Sequence, residues 1–289
     1  MYLKIFTYND YIKCIHTLRL NAVLQLAEES TEYNLELKDT KKEKNKHDKL
    51  TKIILKNEKE MAQFINQFLE PNRKINSNNL EKYKKSYINK KYKNKEADLV
   101  YKLKSDDVFF LIEHQSKLDY SMPYRILNYC IDIMQEWSRN KRNEINILYP
   151  IIVPIIIYTG ERVWKIPKNF KDKQISNYVF ENYKIDLQYN LIDINKLTTS
   201  FLLQQKTMFG YGIIIEKSKN KDELRHNINL IIDDIKTKEQ LELLREIIIY
   251  LFNGSIEKQV KEEILNKIEI KIEKEEESMG MRDRIVAEN

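Results

Sequence analysis

The stretch that most constrains the fold is residues 97–116, which reads A-D-L-V-Y-K-L-K-S-D-D-V-F-F-L-I-E-H-Q-S. Two runs rich in Val, Leu, Ile, Phe and Tyr flank a polar S-D-D segment, a pattern that predicts two antiparallel strands joined by a tight turn. A two-residue loop at 105–106 would place Asp98 opposite Glu113, whereas a three-residue loop would shift the pairing by one. The hairpin therefore fixes which side chains meet.

Alternation along the predicted hairpin divides its side chains between two faces. Glu113 and Gln115 point to one face, and Asp98 joins them from the neighbouring strand. Because like charges directly opposed in a sheet are destabilising, two acids about 5 Å apart at their β-carbons favour a bound cation such as a divalent metal. A solvated surface hairpin carries such acids too and is an open alternative. The other face is apolar: Leu99, Tyr101, Leu103, Phe110 and Ile112.

Composition narrows the class of protein. With 289 residues, 42% of them hydrophobic, the chain can bury the core of one or two domains. Its formal net charge of +6 is compatible with a polyanionic partner and equally with a solvated surface. Two cysteines, Cys14 and Cys130, in separate apolar patterns indicate a reducing compartment. The longest apolar run, residues 147–158, is too short to span a bilayer, and the N-terminus lacks a signal-peptide pattern, so we expect a cytoplasmic protein without a membrane partner.

The order of the predicted elements divides the chain into three regions. Residues 1–46 predict an N-terminal helix followed by a charged linker. Residues 47–195 predict a mixed α/β domain, and residues 196–289 predict a region made of helices only. The last helix carries an apolar residue at every fourth position, which favours internal packing and leaves an interaction surface between copies as the alternative. That stripe is Ile256, Val260, Ile264 and Ile268.

Within the middle region the predicted order is helix, three strands, helix, strand. The apolar spacing predicts the first helix over 50–69, and alternation predicts a short strand over 86–92 before the hairpin. The second helix is predicted from Pro123 to Arg139, with Ser121 as its N-cap. A β-branched run over 147–158 predicts a strand buried on both faces, and its position after a helix predicts parallel pairing.

Four motifs resemble a known family. They are H-D-K-L at 47–50, A-D-L-V-Y-K-L-K at 97–104, L-I-E-H-Q-S followed by D-Y-S-M-P-Y-R at 111–125, and V-P-I-I-I-Y-T-G-E-R-V-W at 153–164. Over about residues 47–165 the chain resembles the recombination-promoting nuclease family, also described as YhgA-like or putative transposase proteins. That family belongs to the PD-(D/E)XK nuclease superfamily, so the resemblance implies a restriction-endonuclease-like α/β core: helix, three-stranded antiparallel meander, helix and parallel strand.

The resemblance also implies a catalytic site. It assigns Asp98, Glu113 and Gln115 to the catalytic positions, with Gln115 where the superfamily usually has Lys. Asp98, Glu113 and the backbone carbonyl of His114 would bind Mg²⁺, or Mn²⁺ in its place, and the ion would activate a water to hydrolyse a DNA phosphodiester. Gln115 would orient that water or a phosphate oxygen. The His114 side chain alternates to the opposite face.

Three further residues are candidates for supporting roles. Arg125 and Tyr129 match the R-x-x-x-Y of the family on the second helix. Arg125 either holds phosphate or forms a structural ion pair with Asp132 or Glu136, and the Tyr129 hydroxyl is expected near the site. Glu60 lies at the margin of an apolar stripe, where a surface charge is favoured and a place in the metal shell is the alternative.

Two functions follow from these observations. The first is a Mg²⁺-dependent DNA endonuclease that promotes recombination or is linked to mobile elements. The alternative is a catalytically weak regulatory protein with the same fold, which binds DNA or associates with itself through the C-terminal helices. The glutamine at position 115 and the modest basic excess favour the alternative, while the acid pair favours the enzyme. Cleavage of DNA with Mg²⁺ would discriminate between them.

Overall fold

The computed structural model describes residues 49–83, 99–141, 146–252 and 258–287, with side chains up to residue 275. Residues 47–289 form one compact unit. The predicted helix and linker over 1–46, the predicted strand over 86–92 and the site residue Asp98 lie outside the described residues.

A five-stranded mixed sheet forms the centre of the described structure, and its strand order follows the chain. The first three strands pair antiparallel, and the last two join them in parallel. The α/β class is therefore confirmed, while the restriction-endonuclease-like topology stays a prediction. The strands are β1 (Leu80–Lys82), β2 (Leu99–Leu103), β3 (Val108–Gln115), β4 (Ile151–Tyr158) and β5 (Asn190–Asp193).

The β2–β3 hairpin has the register predicted from a two-residue loop. Leu103 pairs with Val108, and Leu99 pairs with Ile112. The turn itself covers residues 104–107, so it is longer than predicted, but the pairing is unchanged because the ladder ends one pair earlier on both strands. The register of the hairpin is thus confirmed up to Leu99 and Ile112, and the pairing of Asp98 with Glu113 stays a prediction.

The first helical segment is divided, which corrects the single helix predicted over 50–69. Residues 49–55 are helical, and a second helix, α1 (Glu58–Phe68), follows after a break. Asn57 causes the new start because its side chain accepts a hydrogen bond from the backbone N–H of Lys59 at 2.8 Å.

Helix α2 (Met122–Asn140) covers one face of the sheet and leads into the parallel strand β4, as predicted. Ser121 lies at its N-cap position but does not cap it, which corrects the prediction. Its hydroxyl donates instead to Asp119 at 2.5 Å. The buried side chains between α2 and the sheet are Met122, Ile126, Tyr129, Cys130 and Ile133 on the helix and Val100, Phe109, Leu111 and Ile156 on the strands.

Helices cover the opposite face. The predicted helix over 198–217 is broken at Lys206, which has a positive φ of 53°, and Thr207 caps the next helix by accepting from the Gly210 N–H at 3.1 Å. None of the described helices is both long and apolar enough to cross a membrane. They are α3 (Thr199–Gln205), α4 (Met208–Lys217), α5 (Lys221–Asp234), α6 (Lys238–Leu251) and α7 (Lys258–Ala287).

These helices and the sheet share one apolar core. The face of the sheet with Leu99, Tyr101 and Ile112 is continuous with buried side chains from α1 and from all five later helices. The α7 stripe is buried in that core at Val260, Ile264 and Ile268, so internal packing is confirmed for these positions; Ile256 lies outside the described residues. A domain boundary at residue 196 stays a prediction.

Candidate active site

The carboxylate of Glu113 is buried at the C-terminal end of β3, on the face that α2 covers. Its residue is 2% exposed, and Gln115, two positions further along the strand, donates from Nε2 to Glu113 Oε1 at 3.4 Å. The two side chains therefore share one face, as alternation along the strand requires. A buried acid at the end of a central strand is the starting point of the site.

Arg125 of α2 holds this acid in an ion pair through Nη2. The same guanidinium donates through Nη1 to Asp119 Oδ2 at 2.7 Å and through Nη2 to the Tyr129 hydroxyl at 3.2 Å. Only 15% of its side chain is exposed. The structural ion pair proposed with Asp132 or Glu136 is made instead with Glu113 and Asp119.

The Arg125 cluster (Glu113, Asp119, Arg125 and Tyr129) shifts the ionisation of its members. Burial alone would lower the pKa of Arg125, but the charge of Glu113 and the hydrogen bonds with Tyr129 and Asp119 outweigh it, so that pKa is raised. Burial would also raise the pKa of Asp119, yet hydrogen bonds from Ser121 and Arg125 leave it lowered. Both groups are held in their charged forms.

The charges of the Arg125 cluster do not cancel. Two carboxylates share one guanidinium, which leaves a net charge of about −1 when all three groups are ionised. Hard oxygen donors with an excess of negative charge are suited to a cation such as Mg²⁺. The chemistry of these donors therefore fits the predicted metal, although the guanidinium already neutralises Glu113.

The ring of Tyr129 lies beneath the guanidinium of Arg125. The residue is 4% exposed, and the Arg125 guanidinium carbon lies 5.9 Å from the centre of its ring. A cation over an aromatic ring in a buried place is attracted by the ring quadrupole. The phenol therefore orients Arg125 both through its ring and through its hydroxyl.

The ends of β3 and β4 meet closely beside this cluster. The side chain of His114 turns to the other face and hydrogen-bonds Thr159 Oγ1 at 2.9 Å, while its backbone carbonyl as a metal ligand stays a prediction. A Cβ at Gly160 would lie 2.5 Å from the Ser116 carbonyl oxygen and 2.5 Å from the Tyr158 hydroxyl. Only glycine allows this approach without a shift of the strand ends.

Glu60 is not brought to this cluster. It lies on α1, within the helical layer on the opposite face of the sheet, and accepts from the Met208 N–H at 3.3 Å. The residue is 5% exposed, which corrects the favoured prediction of a surface charge. Burial raises its pKa, and the hydrogen bond from Met208 lowers it in part. Its role is at the start of α4.

Asp98 cannot be placed because it lies outside the described residues. Within the ranges that the structure describes, no group of three or more Asp, Glu, His or Cys side chains could hold a metal ion. Of the three predicted metal ligands, Glu113 and His114 lie at the end of β3, and Asp98 stays a prediction.

Asp119 is the one member of the cluster that the sequence prediction missed. Residues 116–122 were predicted only as a loop, and the acid stands six positions before Arg125. The signal was an Asp-x-Ser turn ahead of a proline-started helix, in which the carboxylate accepts from the Ser121 N–H at 2.9 Å. The turn fixes the acid, and the helix brings the guanidinium to it.

Comparison with known proteins adds a family match and one partial relative. The profile of a family described as "putative transposase, YhgA-like" matches residues 45–246, well over half of the chain. Recombination-promoting nuclease RpnD of Escherichia coli O157:H7 is 27% identical over 82 residues, which cover 27% of this chain and 30% of that protein. The match thus spans less than a third of the relative. No solved structure matches.

Proposed function

Because the chain belongs to the YhgA-like putative transposase family, we propose that it is a metal-dependent nuclease that hydrolyses phosphodiester bonds in DNA. The name of the partial relative, a recombination-promoting nuclease, supports a role in recombination or in mobile elements. The proposed partner is DNA, and the proposed cofactor is Mg²⁺, with Mn²⁺ as a substitute.

The observation that carries this proposal is the buried acid Glu113 inside a polar cluster at the end of a central strand. Taking a carboxylate out of water costs several kcal/mol even when it is paired, and an apolar side chain would pack this position at lower cost. Perturbed charged groups that gather at one edge of a sheet are typical of functional sites. A need for chemistry explains the acid better than a need for stability.

The proposed ligands are Asp98, Glu113 and the backbone carbonyl of His114. The register described up to Leu99 and Ile112, continued by one pair, is the basis for setting Asp98 opposite Glu113. When bound, the ion supplies an acidified water and neutralises charge on the scissile phosphate. Gln115 orients the water or a phosphate oxygen through its amide, since it has no charge of its own.

Arg125 has two tasks in this proposal. It neutralises Glu113 while no cation is bound, and it would bind an incoming phosphate oxygen if an ion took its place at Glu113. Asp119 keeps the guanidinium beside the site in both states because it pairs with the second amino group. The arginine therefore limits the charge that Glu113 leaves uncompensated.

The test is cleavage of supercoiled plasmid by the full chain with Mg²⁺ and with EDTA. Glu113→Gln and Asp98→Asn are each expected to lower the cleavage rate at least about 100-fold because each removes one charged ligand of the ion. Glu136→Gln is the matched control, a second buried acid at 8% exposure that pairs with Arg139 and lies outside the site. Full cleavage by the Glu113 variant would remove the site assignment.

A second candidate function has its own supporting observation. The guanidinium of Arg125 already pairs with one carboxylate oxygen of Glu113, Oε1, and Gln115 brings no positive charge to the site. Both features suit a protein that binds DNA, or associates with itself, without cutting. Wild-type protein that binds plasmid but leaves it intact with both Mg²⁺ and Mn²⁺ would favour this alternative. Self-association through the C-terminal helices also stays a prediction.

A further inference from the structure

The tip of the β4–β5 loop (residues 159–189) exposes large apolar side chains to an unusual degree. Tyr178 is 94% exposed and Tyr183 is 83% exposed, and neighbouring positions behave alike. Several large apolar side chains that are exposed close together along one loop mark an interaction site. The exposed side chains of the tip are Ile175, Tyr178, Val179, Phe180 and Tyr183.

Polar bonds hold the loop in shape without these side chains. At its base the Phe170 N–H donates to the Leu187 carbonyl at 2.8 Å. Further out, the Gln174 side chain donates to the Ile185 carbonyl at 3.1 Å and accepts from the Ile185 N–H at 3.3 Å. Glu181 accepts from the N–H of residue 177 at 3.1 Å. The apolar tip is therefore not required to fold the loop that carries it.

The charge of the loop favours a polyanion. It contains six basic and four acidic side chains, a net charge of +2. Two of the lysines are paired with acids of the loop itself, Lys171 with Asp186 and Lys184 with Glu181. The exposed lysines that make no salt bridge with another described residue are Lys165, Lys168 and Lys173.

We propose that the tip of the β4–β5 loop is a stacking platform for single-stranded DNA. Exposed aromatic rings and exposed lysines on one loop are the combination that binds unpaired bases and their phosphates. Phe180 and Tyr183 already present their rings side by side, with centroids 6.2 Å apart. Paired bases inside a duplex offer no free face to such rings. A second copy of the same loop is disfavoured because it would bring together two loops that each carry a net charge of +2.

The position of the loop connects the platform to the proposed nuclease site, on which the inference rests. The loop starts where β3 and β4 end, and the Thr159 N–H donates to the Gln115 carbonyl at 2.9 Å. Its short helical turn, Phe170–Lys173, packs against α2, the helix that carries Arg125. The base of the loop that carries the tip therefore lies on the same side of the sheet as Glu113.

Binding of a fluorescent 20-nucleotide dT oligomer tests the platform, measured by anisotropy with the full chain in EDTA. Tyr178→Ala with Tyr183→Ala is expected to weaken binding at least about tenfold because two stacking contacts are lost. The double Phe variant at the same positions keeps both rings and is expected to bind as the wild type does. A blunt duplex of equal length is expected to show no difference between the variants.

The matched control replaces two exposed apolar side chains elsewhere, Leu230→Ala with Ile270→Ala, which are 42% and 53% exposed on α5 and α7. Equal oligomer affinity for wild type and the double Ala variant would overturn the platform. A change of mass in light scattering without a change in affinity would overturn it too, because the tip would then be an interface between proteins. Cleavage plays no part in this readout, so a failed nuclease assay leaves it interpretable.

Discussion

Glu113 and Glu60 are both buried acids, yet the structure neutralises them in different ways on opposite faces of the sheet. Glu113 is paired with the guanidinium of Arg125, which a second acid and a phenol hold in place. Glu60 instead accepts a backbone N–H at the start of α4, where the helix dipole favours negative charge. The comparison teaches that burial alone does not identify a functional acid. The charged side chains around the acid are the more informative feature.

The largest expected effect comes from removing the guanidinium. Arg125→Met leaves Glu113 and Asp119 without their shared counter-charge, so we expect the free energy of unfolding to fall by about 3–5 kcal/mol in urea titrations followed by circular dichroism. Adding Glu113→Gln to this variant is expected to recover part of the loss, since the uncompensated buried charge is then gone.

Arg139→Met is the control for that experiment. Arg139 lies on the same helix and pairs with Glu136 at 3.4 Å, but 56% of its side chain is exposed. We expect a loss of at most about 1 kcal/mol, because Arg139 is mostly exposed and pairs with only one acid. If Arg125→Met lowered the free energy of unfolding by no more than this, the charged neighbours of Glu113 would not distinguish it from Glu60.

A smaller effect is expected from the phenol. Tyr129→Phe keeps the ring under the guanidinium but removes the hydroxyl that accepts from Arg125 at 3.2 Å. Loss of a hydrogen bond to a buried charged group is expected to lower the free energy of unfolding by about 1–2 kcal/mol. Tyr124→Phe, at a residue that is 52% exposed, is expected to change almost nothing. If both variants had the same free energy of unfolding, the Tyr129 hydroxyl would not stabilise the Arg125 cluster.

The smallest effect is expected at Glu60. Here we expect a substitution to raise the free energy of unfolding, whereas the substitutions at Arg125 and Tyr129 lower it. Burial raises the pKa of Glu60 above its usual 4.5, so the folded state holds the proton more tightly than the unfolded state does. The stability that this acid contributes is complete below the unfolded pKa and is lost as the pH rises through the folded pKa. At pH 8 the wild type therefore carries the cost of a buried charge.

Glu60→Gln removes that cost and can still accept from the Met208 N–H. We expect the variant to be more stable than the wild type by up to about 1 kcal/mol at pH 8 and equal to it at pH 4, measured by urea unfolding at both values. A difference that is the same at both pH values would show that the ionisation of Glu60 has no part in it.

The hairpin could be predicted because its determinants are local. Alternating apolar residues set the faces of β2 and β3, and the polar turn set their register, which the pair of Leu99 with Ile112 confirms. The helix of Arg125 and the parallel strand after it follow from periodicity and from the short connection between them. These features depend on residues that are close together in the sequence.

The burial and the partners of the acids could not be predicted because they depend on contacts that the local sequence pattern does not show. The partner of Glu60 is Met208, 148 residues away, and no spacing in the sequence points to it. Asp119 lies in a loop, where the pattern of apolar residues gives no direction to a side chain. The helix breaks are a different case, since the capping residues Asn57 and Thr207 were visible but were outweighed by the continuous apolar period.

The core that β2–β5 share with the later helices has a consequence for how this chain can vary. A shorter protein that stopped before α3 would lose the helical part of this shared apolar core and leave the remaining core side chains partly open to water, a surface that invites aggregation. A change in a core side chain before α3 must therefore be matched by a change in the helices after it. The sheet and the later helices should therefore vary together. A chimera that took the sheet from one relative would also need the helices that pack against it.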